Sequence, residues 1–307
     1  MKEELKQLKE KYNKEQLIAC VASRELREGE HIFAGVGLAM LPAAIAQIIY
    51  YPNNLLTAES GFIGMKALQT LVSPADLTGA TVCNCYSSLP QVFYDQQCGY
   101  LDVGYLGLAQ TDKYGNVNTT AIFGSGDFYH PDVRMNGSGG GNDVASSAGR
   151  VVYVIPMREK GQFLKKVDFI TEPGFLDGTP GARERAGLVG KGPSCVVTDR
   201  GIFRFDPETH EMYLSEVYPG TDEEEIEEIK KRVEWDLKVA KELGTIDPPT
   251  DKEFEILKLM DPGGTWSLPS IFDTPAVKIL LAGRLNLDGY SELAQRYESS
   301  WKTVLEM

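Results

Sequence analysis

Leu55-Leu56-Thr57-Ala58-Glu59-Ser60-Gly61 is an apolar run that ends on a carboxylate. It reads as a strand presenting Glu59 at its C-terminal tip, with Ser60 and Gly61 small enough to leave room around it. Further along, Asn136-Gly137-Ser138-Gly139-Gly140-Gly141-Asn142-Asp143 is a loop almost without side chains, so its backbone N–H groups are free to face a ligand. A carboxylate beside a set of backbone donors suits acyl transfer: one part attacks a carbonyl and the other holds the oxyanion. Position alone also fits a surface carboxylate at a strand end and a flexible glycine turn. The neighbours weigh against both. Phe62-Ile63-Gly64-Met65 continues apolar beyond Glu59, as at the mouth of a pocket. Asn136, Asn142 and Asp143 can lock local turns, and a strand follows soon after.

The remaining polar candidates are fewer. Gln110, at the end of Gly107-Leu108-Ala109-Gln110, either donates to a carbonyl or caps the turn that follows. Ser60 and Asn142 flank the two motifs and are candidates for the substrate pocket. His31, His130 and His210 are scattered, and no Ser or Cys nucleophile elbow accompanies them, which argues against a His-based triad. Arg183 and Arg185 form a local basic spot that also fits a salt-bridged loop. The glycine cluster lacks the strand-GxGxxG-helix context and later acidic residue of a dinucleotide fingerprint. Cys83-Asn84-Cys85 lacks the spacing of a zinc knuckle and a second pair of ligands, so no metal site is expected. The five cysteines are an odd number in a large chain and read as core or pocket-lining thiols rather than a disulfide framework.

Elements to position these residues follow in order. Residues 14–28 have helical periodicity, with Gly29 as a C-cap. His31 to Gly37 reads as a strand entering a glycine turn, Pro42 to Ile49 as a helix, and Leu55 to Ala58 as the next strand. That is a βαβ unit, which places Glu59 at the carboxyl end of a parallel strand, where ligands collect in open α/β sheets. Val103 to Ala109 and Val117 to Ile122 read as a hairpin around Asp112-Lys113-Tyr114-Gly115-Asn116. Arg150 to Pro156 reads as a buried strand, and Cys195–Thr198 with Ile202–Phe205 as a second hairpin. Residues 221–243 read as an acidic helix capped by Thr221 and Glu224. The texture then turns proline- and glycine-rich. The expected architecture is α/β, an open, mostly parallel sheet flanked by helices over residues 1–246, with a C-terminal appendage over 247–307 packed on the domain or on a partner.

At 307 residues with 42% hydrophobic side chains, the chain can bury a sizeable core. Its formal net charge of −13 argues against nucleic-acid binding, though not against an anionic substrate met by a local basic cluster. Met1 to Lys14 is charged and has no secretory apolar region, and no apolar stretch approaches the ~18–20 residues that span a bilayer. A cytoplasmic protein is the expectation.

With these motifs the sequence resembles the β subunits of family I CoA-transferases, and among them glutaconate CoA-transferase. The resemblance rests on Glu59-Ser60-Gly61, on Ala109 to Asn118, on Tyr129-His130-Pro131 through Gly137-Ser138-Gly139-Gly140, on Pro173 to Gly178 and on Val196 to Ile202. It runs in order over roughly residues 15–265. It implies that Glu59 is the nucleophile and forms a glutamyl-CoA thioester while CoA moves from an acyl-CoA to a carboxylic acid. Oxyanion and CoA contacts would come from Gly137, Ser138, Gly139, Gly140 and Gln110. Coenzyme A would be a co-substrate, with no metal or redox cofactor, and an α-type subunit would complete a heterodimer, heterotetramer or larger assembly. Relatives on this scaffold also hydrolyse CoA esters or cleave C–C bonds in cyclic β-keto thioesters, often without the glutamate. A carboxylate at Glu59 could serve such a hydrolase as general base. Beyond Pro262-Gly263-Gly264 the chain continues past the point where the glutaconate-type subunit is expected to end.

Overall fold

The computed structural model describes residues 2–67, 70–71, 73–74, 76–262 and 264–267. The chain opens with α1 (Lys2–Lys11) and α2 (Lys14–Ala22). Asn13 caps α2, accepting from Gln16 N while Gln16 Oε1 accepts from Asn13 N, a reciprocal capping box. Then come β1 (His31–Ala34), α3 (Met40–Ile49), β2 (Leu55–Thr57), β3 (Phe62–Ile63), β4 (Cys85–Tyr86), α4 (Leu89–Asp95) and β5 (Val103–Gly107). Short strands β6 (Gln110–Thr111), β7 (Val117–Asn118), β8 (Ala121–Ile122) and β9 (Val133–Arg134) lead to α5 (Gly141–Ser147) and β10 (Arg150–Val154). The rest is α6 (Ala182–Arg185), β11 (Pro193–Val197), β12 (Gly201–Phe205), β13 (Met212–Val217), α7 (Glu223–Lys231), β14 (Lys238–Thr245) and α8 (Asp251–Met260).

Eight strands form one mixed, mostly parallel sheet in the order β14-β13-β12-β11-β10-β5-β1-β2. Both faces are covered, and strand alternation divides the side chains between them. Ile32, Ala34, Val152 and Val154 point to the layer of α2 and α3. Phe33, Val151 and Tyr153 point the other way, toward Val144 and Ala148 around α5 and Ile229 of α7. The βαβ unit through β1, α3 and β2 is present, with β1 and β2 parallel in the register Phe33↔Thr57. The Cys195–Thr198 and Ile202–Phe205 hairpin is present as β11 and β12, paired antiparallel.

Three expectations are corrected. Val103 to Gly107 is not one arm of a hairpin: β5 lies between β1 and β10, parallel to both. The hairpin is a shorter rung just beyond it, β6 against β7. Residues 221–243 are not one helix. Asp222, not Thr221, caps α7 by accepting from Glu225 N at 3.1 Å, and the helix stops at Lys231. The Lys- and Glu-rich stretch that follows extends the sheet beside β13 instead, with Leu237, Val239 and Leu243 packed into the core. Tertiary pairing here overrides a helical composition. Finally, Cys20 and Cys195 are buried as expected, but Cys85 and Cys98 are exposed.

Of the segment 247–307 read as an appendage, residues 263 and 268–307 lie outside the described residues. Its α8 sits against α2 and α3 through Leu257 and Met260, packed with Ala19, Cys20, Leu41 and Ile45. Glu253 of α8 is buried and takes a two-pronged bond from Arg24, at 2.8 and 2.7 Å. No described helix is long and apolar enough to cross a membrane.

Candidate active site

The parallel strand β2 delivers Glu59 to a tight corner. Gly61 N donates to Ala58 O at 3.1 Å and Ala58 N to Phe62 O at 3.0 Å, so Glu59 and Ser60 occupy the bend between β2 and β3. Gly61 has φ +109° and a Cβ there would lie 2.1 Å from the Ser87 carbonyl oxygen. Only glycine makes this corner, because both the backbone conformation and the approach of Ser87 exclude a side chain. Glu59 and Ser60 are half-buried, and the Ser60 hydroxyl oxygen is buried without a hydrogen-bond partner.

The glycine loop reaches this corner from the far side of the sequence. Gly140 lies against Glu59: its backbone N–H is near the carboxylate and favours the charged form, and a Cβ on Gly140 would lie 3.4 Å from Glu59 Oε1. The same Cβ would lie 2.5 Å from Phe93 Cζ, so the α4 ring backs the turn and glycine is what lets it settle on the carboxylate. Other amides of the loop are assigned differently. Gly137 N donates to Thr119 O at 2.9 Å and Gly141 N to Ser138 O at 2.8 Å. The amides of Ser138 and Gly139 have no partner among the described residues. Gly137 and Gly139 have positive φ, +87° and +50°, which turns the loop out and back within a few residues.

Burial, and next the carboxylate of Asp143, push the Glu59 pKa up; the Gly140 N–H works against them. A partly desolvated carboxylate is a stronger base and nucleophile than one in water, yet the single N–H keeps its ionised form reachable. Asp143 is itself held by Gln97 Nε2 at 2.9 Å.

The other expected residues fall into place around this pair. Asn142 lies at the start of α5 and its Nδ2 donates to Thr171 O at 2.7 Å. Gln110 is buried with both ends of its amide engaged: Nε2 donates to Gly161 O at 3.3 Å and Oε1 accepts from Asn118 Nδ2 at 2.9 Å. Asn118 Oδ1 in turn accepts from Thr120 N and Ala121 N, so Gln110 stands behind the segment that holds Gly137. Arg183 is no salt-bridged surface residue. It is buried, and its five N–H groups go to the carbonyls of Gly190, Pro173, Gly174, Ala145 and Ser146. His31 bridges Tyr100 O and Thr57 Oγ1, and His210 stacks on Phe175, so neither pairs with a nucleophile. Among the described residues no group of three or more His, Cys, Asp or Glu could hold a metal ion.

Phe93 and the charge of Asp143 escaped the sequence reading. Phe93 carried no polar signal, and Asp143 was visible only as a turn residue. Glu172, whose carboxyl lies against Gly141, gave no signal either.

This sheet and this corner define a CoA-transferase-type subunit. Residues 16–228 match the family described as coenzyme A transferase, and the chain belongs to that family as a β-type subunit of a family I CoA-transferase. It is 35% identical over 260 residues to the β-type subunit of glutaconate CoA-transferase from Acidaminococcus fermentans, covering 82% of this chain and 94% of that one. It is 32% identical over 251 residues to the β-type subunit of 3-oxoadipate CoA-transferase from Pseudomonas knackmussii, covering 81% and 94%. The crystal structure of glutaconate coenzyme A-transferase from A. fermentans matches with a TM-score of 0.74 at 30% identity, over 83% of this chain and 97% of that one.

Proposed function

We propose that Glu59 is the nucleophile that carries CoA between two carboxylic acids. The observation behind this is the close approach of the Gly140 backbone to its carboxylate, in a corner where burial raises its basicity. One Glu59 oxygen attacks the acyl-CoA carbonyl, the C–S bond breaks, and CoA thiolate leaves a mixed anhydride. The thiolate then attacks the Glu59 carbonyl carbon, releasing the first acid as its carboxylate and leaving a glutamyl-CoA thioester. A second carboxylate attacks that thioester and reverses the sequence, regenerating Glu59. Coenzyme A enters as co-substrate, and the steps so written balance without a metal or redox group.

Two different carbonyls become tetrahedral along this path, and the loop offers donors for both. The Glu59 oxygen beside Gly140 stays on the glutamyl carbon, so the Gly140 amide is the donor nearest its oxyanion. The unpaired amides of Ser138 and Gly139 are left for the oxyanion of the acyl group. Gly137 and Gln110, whose polar groups are already bonded within the protein, place the loop instead. Ser60, with a buried hydroxyl lacking a partner, is the polar group best placed beside Glu59 to meet a substrate. Asn142 fixes the start of α5.

Both curated relatives carry dicarboxylates in their names, so glutaconyl-CoA is the first substrate to test. Each is also named as one component of a multi-subunit enzyme, which supports assembly with an α-type subunit. Tyr94 on α4, with Tyr86 just before it and Tyr100 just after it in the chain, exposes large apolar surface beside the Phe93 that backs Gly140. A partner seated there would shield the thioester from water and disfavour simple hydrolysis.

The test is chemical trapping. The assembled enzyme, treated with glutaconyl-CoA and then borohydride, should carry a reduced Glu59 in the peptide around Ala58-Glu59-Ser60. Turnover with that peptide unmodified by mass spectrometry overturns the proposal. Light scattering should show this chain in a heteromer; an active monomer of ~34 kDa would remove the need for a partner.

A further inference from the structure

The glycine turn over Glu59 is held at both ends by one short piece of chain, Thr171-Glu172. At the entry, Thr171 Oγ1 accepts from Thr119 N at 3.0 Å. Thr119 O takes the Gly137 N–H, and the Thr119 hydroxyl donates back to Gly137 O at 3.0 Å. At the exit, Thr171 O accepts from Asn142 Nδ2, and the Glu172 carboxyl lies beside the first residue of α5. A Cβ on Gly141 would lie 2.5 Å from Glu172 Oε1 and 2.9 Å from its carboxyl carbon. The Glu172 backbone cannot drift away, because its N–H and C=O both pair with Val117, at 3.0 and 2.9 Å.

Glu172 is an odd choice for a spacer. It is 3% exposed, and its Oε2 has no hydrogen-bond partner. Burying a polar head in this way is costly, and an apolar side chain of similar length would avoid the cost. The groups around it do not neutralise it. The Tyr153 hydroxyl of β10 couples to it electrostatically but also lacks a well-formed hydrogen bond. The nearby Arg183 guanidinium has spent all its N–H groups on carbonyls. Burial pushes the Glu172 pKa up to about 8. At neutral pH it therefore stands mainly as the neutral acid, isosteric with glutamine.

We propose that Glu172 is a positioning residue for the transfer reaction: wedged beneath Gly141, it sets where the Gly140 amide meets Glu59. This rests on Glu59 being the nucleophile. The Gly140–Glu59 contact is one residue away from the wedge, and Gly141 N is fixed to Ser138 O across the same turn. A shift of Gly141 therefore moves all three amides assigned to the two oxyanions.

The experiment follows the rate of glutamyl thioester formation at Glu59, by borohydride trapping from glutaconyl-CoA, in the enzyme assembled with its partner. KM and thermal unfolding are measured alongside. Glu172→Ala should slow thioester formation about 100-fold, the cost of roughly 1 Å of misplacement, with KM nearly unchanged. Glu172→Gln, which keeps the shape of the neutral acid, should recover most of that loss. Gly141→Ala pushes on the turn from the opposite side and should also slow the step. Combining it with Glu172→Ala should cost less than the product of the two single effects. Wild-type rates in Glu172→Ala, equal losses in Glu172→Ala and Glu172→Gln, or independent effects in the double variant would each overturn the wedge. Should Glu172→Ala fail to fold, Gly141→Ala at the wild-type rate would overturn it alone. A labelled wild type with unaffected variants removes only Glu172 from the mechanism. A wild type that turns over without label at Glu59 removes the nucleophile, and the wedge with it.

Discussion

The two ends of the sheet are built differently. On the parallel side, β2, β1 and β5 are three, four and five residues long, and their C-terminal ends run into tight turns. On the other side, β12, β13 and β14 have five, six and eight residues and are stitched together by ion pairs. Arg204 joins Glu25 to Glu216, and Glu211 joins Lys113 to Lys238. All the candidate chemistry sits on the first side, where strands stop early and glycines replace side chains. Stability and reactivity are thus assigned to different ends of one sheet. Changes on the parallel side should alter rate with little loss of fold, and changes on the far side should do the reverse.

The largest effect is expected at Glu59. Glu59→Ala should abolish transfer while leaving unfolding almost unchanged, because the residue sits half-buried in a turn and holds no core together. Glu59→Asp should leave little activity, since the carboxylate withdraws by one methylene from the Gly140 amide. A Glu59→Ala enzyme that still transfers CoA would break the division at its centre.

Gly140→Val comes next. The new side chain would occupy the place of Phe93 and lift the amide from Glu59, for a loss of about 10²–10³ in kcat, as when an oxyanion donor is removed. Gly139 is the informative contrast. Its φ is +50° but the space beside it is open, so Gly139→Ala strains the backbone by about 1–2 kcal/mol without a clash. It should lose less rate than Gly140→Val. If the two ranked the other way, backbone conformation rather than the Phe93 contact would set the loop.

How much of this was legible beforehand follows the range of the signal. Glu59-Ser60-Gly61 and the glycine loop could be read because each is a local pattern with a chemical meaning. The βαβ unit could be read because its apolar period and glycine turns are local too. β14 could not, since Lys238 to Thr245 is helical by composition and becomes a strand only because β13 offers an edge. Gln110 looked like a donor because its type was visible while its partners, Gly161 and Asn118, were not. Glu172 was hidden for the same reason: nothing in Thr171-Glu172-Pro173 announces that Gly141 lies against its carboxyl.

Asp143→Asn should produce a smaller change, of shape more than size. The Asp143 carboxylate helps raise the Glu59 pKa, second to burial. Glu59 attacks as the carboxylate, so the acid limb of kcat/KM reports its protonation. Removing the like charge lowers that pKa, and activity should persist to lower pH than in the wild type. The rate should change less toward higher pH, away from the acid limb. An acid limb that stayed in place or moved up would show that Asp143 does not act on Glu59 through charge.

Arg204→Met should have the smallest effect on catalysis and a clear one on the fold. Arg204 Nη2 lies 2.7 Å from Glu25 and 3.0 Å from Glu216, and all three side chains are partly buried. Without the guanidinium, two carboxylates are left facing each other in a poorly solvated site. Breaking such a pair by removing one partner costs more than the pair contributes, here about 1–3 kcal/mol because the group keeps some solvent. The trapping rate at Glu59 should match the wild type below the unfolding transition, since β12 and β13 lie on the far side of β11 and β10 from the site. A thermal midpoint unchanged in Arg204→Met, or a trapping rate that fell with it, would show that the two ends of the sheet are not independent.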